Sequence, residues 1–209
     1  MMVIILLASL RSVAGVFMVL SVIILSLIGM MGSMGWIRGL TGSDRFVFSI
    51  MNTSMPIILM TIANSDSVHF LTKFFKKLRI TGDKKTAIEQ SIDSLMLPIF
   101  LTSLTTAAAF LSLVFAPIEY MTGYGVSIAI GISWAWILST TLLPSLIMLK
   151  DWPLNSRAIR KPGLLERIVD KFGSKIMKLP RSILIGGLLL VAVGIYGIKL
   201  VTTEVNMFS

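Results

Sequence analysis

Of 209 residues, 55% are hydrophobic and only 14% charged, with a mean hydropathy of +0.89; this excludes an ordinary soluble domain and points to an integral membrane protein. Cysteine is absent and histidine occurs once, which excludes a disulfide framework, a thiolate metal centre and a multi-histidine metal site within the chain. The net charge of +9 is concentrated between apolar runs, where it reports membrane orientation and contact with anionic lipid rather than nucleic-acid binding.

Met1 to Leu10 is apolar but, at about 1.5 Å per residue, reaches only about halfway across a bilayer. No basic segment precedes it and no small-residue cleavage site leads into a soluble domain, so residues 1–10 read as the end of a truncated transmembrane helix rather than a signal peptide. Val13 to Ile37 is the first full span, with Gly29, Gly32 and Gly35 three apart, a spacing that admits a neighbouring helix. A polar turn, Arg38 to Arg45, leads to the second span, Phe46 to about Phe70, in which Pro56 is expected to kink the helix.

In 71–94 the pattern changes. Phe70, Phe74 and Leu78 recur four apart against Lys73, Lys76, Lys77 and Arg79; Thr81-Gly82-Asp83 stops one helix and caps another; Ala87, Ile88, Ser91, Ile92 and Leu95 then share a side. The spacing predicts a cytoplasmic amphipathic hairpin lying on the membrane surface. The third span, Leu95 to Phe115, contains Thr102-Ser103-Leu104-Thr105-Thr106, with Thr102, Thr105, Thr106 and Ala109 on one face. In the fourth, about Gly123 to Leu149, small residues recur every fourth position at Gly123, Ser127, Gly131, Ala135 and Ser139, the pattern of a helix-packing face. A basic linker over 150–181, a fifth span over 182–201 and a short segment, 202–209, follow. The expected fold is an all-α integral membrane bundle of about five complete transmembrane helices plus a truncated one. Placing the loops after the second and fourth spans in the cytoplasm puts Arg11 and the basic clusters Lys73–Lys85 and Lys150–Arg181 on one side, leaving only Arg38, Arg45 and Lys199 on the other.

One stretch departs from its surroundings. Phe46 to Ala63 has no charged residue for eighteen positions, and then Asn64, Asp66 and His69 arrive within two turns. An ionisable residue within a membrane helix is expensive and by default marks an ion, proton or substrate path. The plainer alternative is a solvated carboxylate at the interface, roughly 10 Å along the helix from Lys73. His69 is three residues beyond Asp66, and Asn64 and Ser67 add hydrogen-bonding groups, so Asp66, His69 and Asn64 form the expected proton relay. Ser67, Thr102, Thr105 and Thr106 are candidates to line a pathway, although hydroxyls in membrane helices also bond simply to their own backbone. The chain holds no nucleophile–base pair, phosphate loop or metal cluster, so neither an enzyme nor a cofactor is expected.

The order of a span bearing Ile-Ala-Asn-Ser-Asp-Ser-Val-His-Phe, a basic amphipathic hairpin, Leu-Thr-Ser-Leu-Thr-Thr-Ala-Ala-Ala-Phe, and a span ending in Thr-Leu-Leu-Pro-Ser-Leu resembles the RND superfamily, and within it the predicted-exporter branch with MMPL-type membrane domains. The resemblance covers nearly the whole chain. It implies that residues 1–10 end the second transmembrane helix, that 11–149 hold the third to sixth, and that 182–201 is the seventh, the first of a second repeat. It also implies that Asp66 matches the proton-carrying aspartate of the fourth helix. Ser67 stands where paired-aspartate members have a second acid, and Asn64 where glycine is usual. The function implied is proton-motive-force-driven export of lipids or other amphiphiles from the inner (plasma) membrane. The partners implied are membrane lipids, a lipid or hydrophobic substrate, protons, and the remainder of the transporter or another subunit. Large periplasmic domains are implied outside the chain, with 202–209 beginning one of them, so the chain is expected to be an internal fragment. Two alternatives stand beside this reading. One is the protein-secretion branch of the superfamily, whose basic and acidic signature residues are not found here; the other is a lipid- or sterol-sensing membrane module without transport.

Overall fold

Several helix boundaries fall where the chain offers caps. Ser12 adopts extended backbone and its Oγ accepts a 3.2 Å hydrogen bond from the Gly15 N–H, satisfying one of the free amides that open α2, Val13–Thr41. Gly42, at φ 63°, closes that helix by donating its N–H to Arg38 O at 2.8 Å, a left-handed cap that glycine adopts without strain. The computed structural model describes residues 2–43, 46, 50–153 and 180–198, and all regular structure among them is helical. Besides α2 there are α1 (Met2–Leu10), α3 (Met55–Thr81), α4 (Lys84–Leu111), α5 (Glu119–Leu149) and α6 (Pro180–Ile198), with short 3-10 turns at Ile50–Ser54 and Ser112–Phe115. Most of the basic linker, 154–179, and the segment 199–209 lie outside the described residues.

The chain is an all-α membrane bundle. By length and composition, α2, α4 with the turn after it, and α5 are apolar enough to cross a bilayer. α3 is 27 residues long, but Asn64, Asp66 and His69 in its middle and four cations near its end set it apart from these three. α3 and α5 form the centre: they pack on each other and both touch α2 and α4, while α1 lies against α2 and α3. α6 belongs to a second compact unit, 164–209, and its side chains from Leu184 to Tyr196 are exposed.

Three expectations change. Pro56 does not kink a span; it occupies the first turn of α3, where its missing N–H would have no intrahelical partner in any case. The arms of the 71–94 hairpin are not separate short helices. The first continues α3 and the second opens α4, since an unbroken helix keeps the backbone hydrogen bonds that a break at Phe70 would forfeit. Nor are its apolar sides left for lipid. Phe74, Phe75, Leu78, Ala87 and Ile88 are buried, and Trp152 packs edge-on against Phe74 and Phe75 with ring centroids 5.9 and 5.3 Å away. Lys84 Nζ donates to Met148 O at 2.8 Å and Lys150 O at 3.1 Å, placing a cation at the C-terminal end of α5 where the helix dipole favours it.

Gly82, at φ 69°, ends α3, and Asp83 caps α4, its Oδ2 accepting from the Thr86 N–H at 2.8 Å and the Thr86 hydroxyl at 2.7 Å. These bonds, the hydroxyl's foremost, favour the charged carboxylate and hold Asp83 below its ordinary value of 3.8. A group depressed on folding stabilises the fold above its unfolded value, and the contribution is lost as pH falls through the folded one. Asp83→Ala is therefore expected to lower the thermal midpoint of the detergent-solubilised protein at pH 7. The deficit against wild type should shrink as pH falls below 3.8; a deficit unchanged in acid would show that the carboxylate does not stabilise the turn.

Candidate functional site

The buried face of α3 runs Met55, Leu59, Ala63, Asp66, Phe70, Phe74 and Leu78, nearly one residue per turn. Asp66 is part of that stripe and is 6% exposed. From α4, Ser103, also 6% exposed, faces the carboxyl closely enough to act on it electrostatically. The pair does not close into a hydrogen bond: Asp66 Oδ2 and Ser103 Oγ are both buried without a partner. No cation among the described residues pairs with Asp66.

The same condition recurs nearby in sequence and on the facing helix. Ser67 Oγ and Asn64 Oδ1 on α3, and Ser127 Oγ and Trp136 Nε1 on α5, are buried and unpaired. Elsewhere the helix hydroxyls fold back on their own backbone, as Ser91 does on Ala87 O at 2.7 Å and Ser26 on Val22 O at 2.7 Å. A buried polar atom without a partner costs about 1–3 kcal/mol, so its concentration in α3, α4 and α5 marks where the bundle departs from best packing. Chemically, an ionised Asp66 is an acceptor that Ser103 can donate to after a small approach, whereas a protonated one can itself donate to Ser103. The arrangement suits taking up and releasing a proton.

Of the residues expected in the relay, Asp66 alone is both buried and turned to another helix. His69 is exposed, on the outer side of α3. Asn64 is half-buried and, two residues before Asp66, points about 200° around the helix from it. Of the expected lining, Ser67 is fully buried, but Thr102 and Thr105 are exposed and Thr106 half-buried. Each threonine bonds its own backbone: Thr102 to Pro98 O at 2.9 Å, Thr105 to Leu101 O at 2.8 Å and Thr106 to Thr102 O at 2.6 Å. The hydroxyl that meets Asp66 is thus Ser103, inside the same run. Its signal was in the sequence: Ala87, Ser91 and Leu95, extended in steps of four, reach Ile99 and then Ser103, and Ala87, Ser91, Ile99 and Ser103 are buried. The series is continuous because the second hairpin arm and the third span are one helix, α4. Among the described residues no cluster of three or more acidic or histidine side chains is placed to hold a metal ion.

Glycines set the helix spacing around this site. Gly123, Ser127, Gly131, Ala135 and Ser139 are all buried. A Cβ on Gly131 would lie 2.9 Å from Met30 Sδ of α2 and 3.1 Å from Leu59 Cδ2 of α3. Gly125, outside the four-residue series, closes on the Phe110 backbone carbonyl of α4. On α2, Gly29 lies beneath the Trp134 ring of α5, 2.9 Å from a would-be Cβ, and Trp134 Nε1 donates to Ser33 Oγ at 3.0 Å. Gly32 and Gly35 face open space, so only the first of those three glycines receives a neighbour.

A sequence profile of the MMPL family matches residues 1–171. A membrane protein of Methanocaldococcus jannaschii is 25% identical over 116 residues, which make up 56% of this chain and 30% of the relative. The chain therefore matches less than a third of that relative's length. No solved structure matches it.

Proposed function

The chain belongs to the MMPL family, a family of RND-superfamily membrane transporters, and from that premise we propose that it is part of a proton-driven exporter of lipids or other hydrophobic or amphiphilic compounds, with Asp66 as the proton carrier. The observation that carries this reading is a carboxylate on the buried face of α3, with one oxygen unpaired and opposite an unpaired hydroxyl on α4. Its charge state decides which partner donates across the α3–α4 contact. Uptake of a proton removes a charge from a medium that solvates it poorly; release restores the charge and draws Ser103 in. The small-residue face of α5 supplies the surface along which these helices shift. The basic segments around Lys73–Lys85 and Lys150 lie on the cytoplasmic side of the inner (plasma) membrane, in keeping with the positive-inside rule.

The test is proton flux in vesicles holding the whole transporter, a fluorescent phospholipid analogue and a lumenal pH dye. An antiporter changes lumenal pH as the analogue moves, and dissipating the gradient stops the movement. Binding of the analogue with no accompanying flux would overturn this reading in favour of a lipid-sensing module.

A further inference from the structure

The threonines of α4 have no part in the carboxylate site, yet their hydrogen bonds follow a pattern. Within the run from Thr102 to Thr106, Thr102, Thr105 and Thr106 each bond a carbonyl one turn earlier, and Ser103 alone keeps its Oγ off the backbone. The carbonyl that Thr102 takes belongs to Pro98, which lies inside the helix. Proline has no N–H to give to Ser94 O, so one bond of the helical ladder is missing there. A hydroxyl that shares a helix carbonyl loosens and bends the ladder further. Pro98 and the three threonines therefore weaken one continuous stretch of α4, and Ser103 stands within it.

Packing leaves that stretch room to move while holding the ends of the helix. Lys84 ties the first turn of α4 to the end of α5, Ala87, Ile88 and Ser91 are buried, and near the far end the Phe110 carbonyl closes on Gly125. Between Pro98 and Thr105 only Ile99 and Ser103 are buried against the other helices. A narrow apolar cleft separates α4 from its neighbours at this level, lined among others by Phe70 of α3, Ile99 of α4 and Thr140 of α5. Phe70 is one turn from Asp66 and Ile99 one turn from Ser103, so the gap lies directly beside the facing pair. α5 has an internal proline too, but Pro144 is itself buried and has Leu143 and Ile147 fully buried beside it, where close packing resists a bend.

We propose that α4 hinges at Pro98 and that this hinge sets the approach of Ser103 to Asp66, with Pro98 and Thr102 as positioning residues for proton exchange. The inference rests on Asp66 being the proton carrier. Ser103 lies about 7.5 Å beyond Pro98 along the helix axis, so a change of about 10° in the bend moves it by about 1 Å. Such a step is on the scale needed to join two buried oxygens that stop short of a hydrogen bond. The bond then forms when Asp66 is charged and breaks when it is protonated, without dragging the anchored ends of α4.

The test uses the whole transporter in vesicles, with the fluorescent phospholipid analogue and the lumenal pH dye. Helix stability at an interior position runs Ala over Gly over Pro, and coupled flux is expected to run the other way, highest with Pro98, intermediate in Pro98→Gly and lowest in Pro98→Ala. Pro98→Leu, which straightens the helix without leaving a cavity, should match Pro98→Ala, and Thr102→Ser should keep the flux that Thr102→Val reduces. Pro98→Ala is expected to cost about tenfold alone and almost nothing further when added to Ser103→Ala, as two residues serving one contact require. Flux that rises with helix stability overturns the hinge, and so do losses that multiply in the double variant. Full flux in Pro98→Ala beside an inactive Asp66→Asn overturns the hinge and leaves the carrier standing; coupled flux retained in Asp66→Asn overturns both.

Discussion

Asp66→Asn is expected to abolish proton-coupled transport by the complete protein while leaving its helical bundle intact. Asparagine keeps the shape of the side chain and removes its capacity to take up and release a proton, so coupled flux should fall by about a hundredfold or more, the range seen when a positioned proton-transfer group is removed. The fold should not suffer. Asp66 Oδ2 has no hydrogen-bond partner and no cation among the described residues pairs with it, so neutralising it breaks no bond and relieves a buried charge. The thermal midpoint in detergent is expected to hold or rise. Ser103→Ala is expected to give a partial loss, since it removes the hydroxyl that faces the carboxyl but not the carrier. Retained coupling in Asp66→Asn would sink the proposed mechanism, and a collapsed thermal midpoint would show that the residue is structural.

The second large effect lies at the α4–α5 contact. A single methyl at Gly125 would strike the backbone carbonyl of Phe110, with Leu113 Cβ only 3.0 Å away. A backbone carbonyl cannot swing aside as a side chain can, so α4 and α5 must separate, and Gly125→Ala is expected to destabilise by about 1–3 kcal/mol. At Gly32 nothing lies within 4 Å of the same added atom. Gly32→Ala is therefore expected to stabilise, by about 0.5–1 kcal/mol, because alanine loses less backbone freedom in a helix. Opposite signs in paired thermal unfolding experiments would locate the close approach at Gly125; equal shifts would deny it.

Much of this organisation was legible from residue type and spacing. Gly82 and Asp83 mark helix ends because side-chain caps and left-handed glycines are local chemistry, independent of what packs against the helix. The four-residue recurrence from Gly123 to Ser139 names the buried side of α5, and Asp66 stands in register with Phe70, Phe74 and Leu78. Gly125 gave no such signal, because its role depends on where the Phe110 carbonyl lies.

By itself, then, the sequence determined that the chain is helical and membrane-embedded, that a turn at Gly82 and Asp83 separates two helices, and that Asp66 is the residue out of place in an apolar helix. Only the tertiary structure decided which neighbours share that place. Ser103 turns toward Asp66 while Thr102, Thr105 and Thr106 turn away, and His69, one turn from Asp66, faces outward. Each residue is rotated about 100° from the one before it, so a polar cluster in sequence points in several directions. Which of them is inward is settled by where the axes of α3, α4 and α5 lie, a long-range result of packing that no local pattern contains.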